Sequence, residues 1–322
     1  MKGKISLSIK NKHISFKLEL ERNITVITGD SGTGKTKLIN MVRAYSLEGK
    51  SSGVTLKCDV PCVVLEGLNW EIQLEKIHGS IVFVEESTKF LPSYEFARYI
   101  PQTDNYYVFI TREPLTQIPY SIDAIKQIVK SGKNPRIEKI YKEISIKNIA
   151  QKQYDTIIVE DAKAGFQFFT KVGEKIQAVC VSARGKSNIL NLLNHQKAQD
   201  ILVIADAAAL GPEIRALMHY ISDCDKKIDL FLPESFEWLI LKSKIFEHQT
   251  NVQSVLANPI DFIESRDYFS WERFFTHLLV EESKDKTNLR YPANKTKLPS
   301  GYLSDSNMES IMDAMMSVRA DI

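Results

Sequence analysis

The chain has 322 residues, 43% of them hydrophobic and 25% charged, a composition typical of folded globular proteins that excludes a disordered, fibrous or coiled-coil chain. Its 42 Lys and Arg against 40 Asp and Glu leave a formal net charge of +2, so binding to nucleic acid or an anionic membrane would need a local patch. Because no segment approaches about 18 uninterrupted apolar residues, and residues 1–20 do not resemble a secretory signal, we expect a soluble cytoplasmic protein without membrane contact.

The first 110 residues contain several short apolar segments that alternate with polar ones. Two runs, 81–84 and 106–110, are almost wholly apolar, which is typical of strands buried on both faces of a parallel sheet. The pattern also predicts a strand that enters a glycine-rich loop and a helix that leaves it. The remaining predicted strands are 4–9, 15–19, 24–28, 54–57, 62–65 and 70–74, and the predicted helices are 35–45 and 94–100.

The segment between the strand at 24–28 and the helix at 35–45 has the spacing of a phosphate-binding loop. Gly29 and Gly34 can adopt the positive φ angles that turn backbone N–H groups toward an anion. Lys35 would neutralise the outer phosphates, and the hydroxyl of Thr36 would bind Mg²⁺. We therefore predict that ATP, with GTP as the open alternative, binds with Mg²⁺ at Gly29, Asp30, Ser31, Gly32, Thr33, Gly34, Lys35 and Thr36.

Two carboxylates, Glu85 and Glu86, directly follow the apolar run at 81–84. This arrangement resembles the Walker B pattern, except that the first acid is Glu where Asp is usual. We assign Glu85 to Mg²⁺ and Glu86 to orienting the attacking water. Arg112, just after the run at 106–110, is predicted to sense or stabilise the γ-phosphate. The alternatives are a solvated acidic turn and a surface arginine.

A basic stretch separates the two halves of the chain. Residues 130–152 carry seven Lys or Arg against Glu138 and Glu143, and the favoured interpretation is a solvated linker at 130–153, with a phosphate-contacting strip as the alternative. Strand and helix patterns then alternate again, which predicts a second α/β domain. The predicted strands are 156–159, 177–182, 201–205 and 228–232, and the predicted helices are 162–172, 189–194, 212–221, 271–280 and 308–318.

Carboxylates also follow strands in the second half: Glu160, Asp206 and Glu237. With Gly185-Lys186, this arrangement resembles a TOPRIM domain, the metal-binding catalytic module of topoisomerases, primases and some nucleases. The resemblance implies that the three acids bind a divalent metal. An Asp-x-Asp pair is missing, because Ala207 and Ala208 follow Asp206, so the module is expected to be degenerate. The alternative is that Glu160 and Asp206 merely cap the next helices.

A P-loop ATPase followed by such a module is similar in order to the OLD family of ATPase-nucleases from phage and antiphage systems. The predicted fold is α/β, with a P-loop NTPase sheet at 1–129, the linker at 130–153, a TOPRIM-like α/β domain at 154–260 and a helical C-terminal region at 261–322. The basic stretch 284–297, with five basic residues against Asp285, is either a strip that follows a phosphate backbone or a surface loop.

The expected function is an Mg²⁺-dependent NTPase whose TOPRIM-like domain senses or acts on DNA or RNA, in a phage or mobile-element setting that only the resemblance suggests. Two alternatives stay open. One is a nucleotide-gated, metal-dependent nuclease, and the other is a non-catalytic nucleotide switch that contacts a protein partner. A homo-oligomer is also compatible with the sequence.

Overall fold

The structure is a computed structural model that describes residues 1–30, 32–130, 134–141 and 152–317. The chain divides into two compact units. Unit 1 consists of Met1–Tyr141 and Asn258–Ser270, and unit 2 of Lys142–Ala257 and Trp271–Ile322. The predicted α/β class is confirmed at this level, since helices and several sheets alternate along the chain. Within the described ranges, no helix combines the length and the apolar character needed to cross a membrane.

Unit 1 is built on a six-stranded sheet whose central strands are buried. Five of its strands are parallel and the last pairs antiparallel with its neighbour. The strands are β3 (Ile24–Thr28), β5 (Cys62–Val64), β6 (Ile81–Glu85), β7 (Tyr106–Ile110), β8 (Ile125–Val129) and β9 (Arg136–Lys139), in the spatial order β5-β6-β7-β3-β8-β9. The sequence did not predict β8, and β9 lies within the range predicted to be a linker.

A second, three-stranded antiparallel sheet in unit 1 comprises β1 (Ile5–Lys10), β2 (Ser15–Leu20) and β4 (Thr55–Lys57), in the order β2-β1-β4. Its alternate apolar side chains, Leu7 and Phe16 among them, share a core with α1 (Lys35–Glu48) and the large sheet. The loop that connects β3 to α1 therefore adjoins this core.

One predicted strand is wrong: residues 70–74 form helix α2 (Trp70–Leu74). The indole of Trp70 stacks on Phe90, with 5.5 Å between ring centroids, and meets Phe96 of α3 (Tyr94–Tyr99) edge-on at 5.3 Å. A helical turn brings Trp70 and Leu74 to the same buried side, which a five-residue apolar pattern does not distinguish from a strand.

The segment Asn258–Ser270 belongs to unit 1 although it lies far along the chain. Its backbone bonds the N-terminus: Gly3 N–H donates to the carbonyl of Ile260, and Ser265 N–H to that of Met1, each at 2.9 Å. The predicted C-terminal region 261–322 is therefore divided, with its first residues in unit 1 and the residues from Trp271 onward in unit 2.

Unit 2 contains a parallel four-stranded sheet; its four strands and five of its helices were predicted, whereas the helices at 236–242 and 250–257 were not. The strands are β10 (Thr156–Val159), β11 (Val179–Ser182), β12 (Asp200–Ile204) and β13 (Lys227–Phe231), in the order β11-β10-β12-β13. The helices are α4 (Ala164–Ile176), α5 (Ile189–His195), α6 (Gly211–Asp223), α7 (Phe236–Lys242), α8 (Thr250–Ala257), α9 (Trp271–Ser283) and α10 (Asp305–Ser317).

Candidate functional sites

The glycine loop, residues 29–34, connects the carboxyl end of β3 to the first turn of α1. Gly29, Gly32 and Gly34 have φ angles of +126°, +77° and +110°. Side chains larger than hydrogen are strained at such angles, so glycine is required at these positions. The resulting backbone can turn successive N–H groups toward one point, next to the positive end of the α1 dipole. Ser31, predicted as part of this site, lies outside the described residues.

Lys35, the first residue of α1, directs its ammonium back to the glycine loop. Its Nζ donates to the carbonyl oxygens of Gly29 and Asp30, the latter at 2.9 Å, and the residue is 7% exposed. Burial and the charge of Arg112 lower the pKa of Lys35, while Glu86 and Asp30 oppose the shift. Arg112 and Glu86 are therefore within electrostatic range of the ammonium, as the predicted site requires.

Thr36, the predicted magnesium ligand on α1, is exposed beside Lys35. Thr33 donates its hydroxyl to the carbonyl of Asp30 at 3.1 Å, which is a bond within the glycine loop. The hydroxyl of Thr36 thus lies at the surface of the first helical turn, where a bound ion could reach it.

Glu86 and Arg112 form one joined pair at the ends of β6 and β7. The backbone N–H of Arg112 donates to Glu86 Oε2 at 2.8 Å, and Arg112 Nε lies 3.3 Å from Glu86 Oε1. Glu86 N–H in turn donates to the carbonyl of Ile110 at 2.8 Å, beyond the β6–β7 ladder. Since β7 also pairs with β3, the pair stands beside the strand that leads into the glycine loop.

Glu85 has different neighbours from Glu86. Its Oε2 lies 3.7 Å from Nη2 of Arg43 on α1. Arg43 also donates to Glu66 Oε2 from Nε at 3.1 Å and from Nη2 at 2.9 Å. The two acids of the predicted Walker B pattern thus contact two different arginines.

Lys130 lies beside the glycine loop and was not singled out by the sequence. It follows β8, which pairs in parallel with β3 on the side opposite β7. Its Nζ is 4.0 Å from the position that a Cβ on Gly32 would occupy. The signal was present, because Lys130 begins the basic stretch for which a phosphate-contacting strip was the alternative interpretation.

In unit 2, Glu160 and Asp206 meet at the carboxyl ends of the adjacent strands β10 and β12. Asp206 N–H donates to Glu160 Oε2 at 3.0 Å, and Glu160 N–H donates to the carbonyl of Ile204 at 2.8 Å. Burial, with a contribution from Glu272, raises the pKa of Glu160 to about 7. Burial and three neighbouring carboxylates raise the pKa of Asp206 well above its usual range.

Glu237 and Glu272 share a single ammonium, that of Lys295. Lys295 Nζ lies 3.2 Å from Glu237 Oε2 and 2.7 Å from Glu272 Oε1. Glu237 Oε1 accepts a hydrogen bond from the hydroxyl of Tyr291 at 2.7 Å. Burial would lower the pKa of Lys295, but Glu237, Glu272 and Asp206 reverse the effect, so the pKa is raised. We call the four acids of this region the carboxylate cluster: Glu160, Asp206, Glu237 and Glu272.

The hydrogen bonds do not show Glu160 or Asp206 as helix caps, since Glu160 Oε2 accepts from Asp206 N–H and no side chain caps α6, the helix that follows Asp206. Asp161 is the residue that caps α4, since its Oδ2 accepts from Gly165 N–H at 2.7 Å and its Oδ1 from Lys163 N–H at 2.8 Å. Lys186 was predicted with Gly185 as part of the site, and its Nζ lies 3.3 Å from Oε2 of Glu213. Among the residues that the structure describes, no group of three or more His, Cys, Asp or Glu is arranged to hold a metal ion.

The sequence-predicted residues therefore fall into two groups, one in each unit, and each group contains residues that the sequence did not identify. These are Arg43, Glu66 and Lys130 in unit 1, and Glu272, Tyr291 and Lys295 in unit 2. Neither a scan against protein-family models nor a search of the curated proteins finds a match to this chain.

Proposed function

We propose that unit 1 binds ATP, with GTP as the alternative, together with Mg²⁺ at the glycine loop, and hydrolyses it. The observation that carries the proposal is the buried ammonium of Lys35, held at a loop with three positive-φ glycines where a buried parallel strand meets a helix N-terminus. Backbone N–H groups and this ammonium form an anion site without any change of fold.

The phosphates would replace the two carbonyl oxygens that Lys35 now contacts. Lys130 would supply a second positive charge on the other side of the loop. Thr36 and Glu85 are the groups proposed to hold Mg²⁺, which when bound neutralises phosphate charge. Glu85 would have to leave Arg43 or share it, since the two side chains are 3.7 Å apart.

Glu86 and Arg112 are the proposed catalytic pair. Arg112 now holds both carboxylate oxygens of Glu86, one through its backbone and one through its guanidinium. A γ-phosphate near Lys35 would attract the guanidinium of Arg112 away from Glu86. An oxygen of Glu86 would then be available to orient the attacking water. The guanidinium would then stabilise the charge that develops on the phosphate.

For unit 2 the proposal is a TOPRIM-like module that senses or acts on DNA or RNA when unit 1 holds nucleotide. This part rests on the resemblance described above and on the convergence of Glu160 and Asp206 at the ends of β10 and β12. A phage or mobile-element setting comes only from that resemblance. The ion pairs of Glu237 and Glu272 with Lys295 weigh against the nuclease alternative, because they involve carboxylates that a metal would need. A nucleotide switch that contacts a protein partner is therefore the second candidate.

The decisive experiment compares wild type with Lys35→Ala, Glu86→Gln and the control Lys37→Ala, an exposed lysine on the same helix. Binding of ATP and GTP with Mg²⁺ is measured by calorimetry. Phosphate release is measured alone and with single-stranded DNA, double-stranded DNA or RNA. We expect Lys35→Ala to lose binding, Glu86→Gln to bind but not hydrolyse, and Lys37→Ala to match wild type.

The outcomes separate the alternatives. Hydrolysis that one nucleic acid accelerates would support the nucleic-acid partner and identify it. Tight binding without turnover under every condition would favour the switch. Equal binding by wild type and Lys35→Ala would reject the nucleotide site altogether.

A further inference from the structure

We propose that the ammonium of Lys295 is the resident cation of the carboxylate cluster in unit 2, so that this cluster is complete without a divalent metal. The inference goes beyond the nucleotide chemistry proposed for unit 1. It assigns unit 2 a metal-independent role and argues against a nuclease that depends on metal at Glu237. The role of Lys295 is one of positioning, since it fixes the carboxylates.

The first support is the contact geometry. Lys295 Nζ lies 2.7 Å from Glu272 and 3.2 Å from Glu237, and the Glu237 side chain is only 3% exposed. A buried carboxylate requires a positive partner or a proton, because removing an ion from water is unfavourable. The other oxygen of Glu237 already accepts from Tyr291. Both oxygens thus face groups of the chain itself: Oε1 through the hydrogen bond from Tyr291, and Oε2 through an ion pair with Lys295 that lacks hydrogen-bond geometry.

The second support is the backbone at Lys295. The residue has a φ of +58°, a left-handed conformation that is uncommon for a residue with a side chain. Hydrogen bonds fix it on both sides: its N–H donates to the carbonyl of Pro292 at 2.9 Å, and its carbonyl accepts from Ala164 N–H at 3.1 Å. Ala164 begins α4, directly after the loop that follows β10. These bonds fix the backbone of Lys295 beside the start of α4.

The third support is the charge balance. The carboxylate of Asp206 interacts with those of Glu160, Glu237 and Glu272 and with the ammonium of Lys295. A divalent ion among the same oxygens would lie within a few ångströms of that ammonium, and like charges at such distances repel strongly in a partly buried site. Metal could enter only if Lys295 left, which would break both of its ion pairs.

The test uses the full chain without nucleotide. Binding of Mn²⁺ is followed by the loss of the free-ion resonance signal for wild type and Glu237→Gln, and thermal unfolding is recorded in MgCl₂ and in EDTA. We expect equal Mn²⁺ binding by the two proteins and melting temperatures that EDTA does not change. A metal held by the cluster would be seen as Mn²⁺ that binds to wild type and is lost in Glu237→Gln, which would overturn the proposal.

Variants of the lysine provide an independent readout. Lys295→Met should lower the melting temperature of unit 2, whereas the control Lys297→Met, at an exposed position two residues later, should not. Combining Lys295→Met with Glu237→Gln should recover part of the loss, because the neutralised acid no longer needs a cation. If Lys295→Met has no greater effect than Lys297→Met, Lys295 is not the resident cation.

Should Lys295→Met fail to fold, Lys295→Arg keeps the charge and is expected to fold, and the Mn²⁺ comparison of wild type with Glu237→Gln decides the question without either lysine variant. Plasmid nicking in Mn²⁺ that disappears with Glu237→Gln would also overturn the proposal. None of these measurements involves nucleotide, so their failure and the failure of the function proposed for unit 1 are distinguishable.

Discussion

Replacing Glu160 by Gln should change how the stability of unit 2 depends on pH. Gln keeps the length of the side chain and can still accept the Asp206 N–H at 3.0 Å, but it does not titrate. The charged groups that act on Glu160 come from several elements: Asp206 after β12, Glu272 on α9, Glu213 on α6 and Lys186 after β11. These groups remain in the variant.

The magnitude follows from the raised pKa. The pKa of Glu160 is about 7 in the folded chain and 4.5 for an ordinary glutamate, a difference of about 2.5 units that corresponds to about 3 kcal/mol. A carboxyl group with a raised pKa stabilises the fold while it is protonated. That contribution is fully present below pH 4.5 and is lost as the pH rises through about 7. Glu160→Gln should therefore gain on wild type by up to about 3 kcal/mol between these pH values.

The assay is urea unfolding at a series of pH values, read by hydrogen-exchange mass spectrometry on peptides that cover β10 and β12, so that unit 2 is followed by itself. Glu174→Gln is the matched control, because Glu174 is an exposed residue of α4. Parallel pH profiles for wild type and Glu160→Gln would refute the reasoning, since they would mean that Glu160 titrates normally in the fold.

Three further predictions concern other contacts. Lys130→Ala should weaken nucleotide binding by about 1 kcal/mol, and by more at low salt than at high salt, which calorimetry at two ionic strengths can measure. A loss of affinity that does not depend on salt would contradict an electrostatic contact. Arg112→Ala should lower kcat by roughly 10³-fold with little change in affinity, and an unchanged kcat would remove Arg112 from the catalytic pair. Gly173→Ala should destabilise unit 2 by about 1–3 kcal/mol in urea unfolding, because the new Cβ would lie 2.7 Å from the carbonyl oxygen of Ala178. An unaltered unfolding midpoint would show that the backbone shifts there at little cost.

Local sequence patterns predicted most of the strands and helices, because burial on both faces of a parallel sheet produces continuous apolar runs such as β6 and β7. They failed at α2, where Trp70 and Leu74 fit both a strand and one helical turn. The difference is decided by packing of Trp70 on Phe90 and Phe96, which are 20 and more residues away. Short apolar segments lack the length that would separate the two periodicities.

The site in unit 1 was visible because the glycine loop is contiguous in sequence. The carboxylate cluster was visible only in part, because its cation comes from a distant basic stretch that was interpreted as either a phosphate-following strip or a surface loop. Lys295 is 89 residues from Asp206, and only the fold brings its ammonium to Glu237 and Glu272. Runs of charged residues are usually solvated, so the sequence around Lys295 does not indicate that its side chain is partly buried.

Lys35 donates hydrogen bonds to the carbonyls of Gly29 and Asp30, so an anionic ligand must compete with these two carbonyls for the ammonium. A hydrogen bond from a charged donor contributes about 1.5–3 kcal/mol, so an arriving anion must replace two contacts that already satisfy the ammonium. A lone inorganic phosphate would replace them and gain little more. A triphosphate would also engage N–H groups of the loop, and its additional oxygens would favour the exchange. On the proposed function, the loop would therefore select ligands by the number of charges they carry before any group contacts the base.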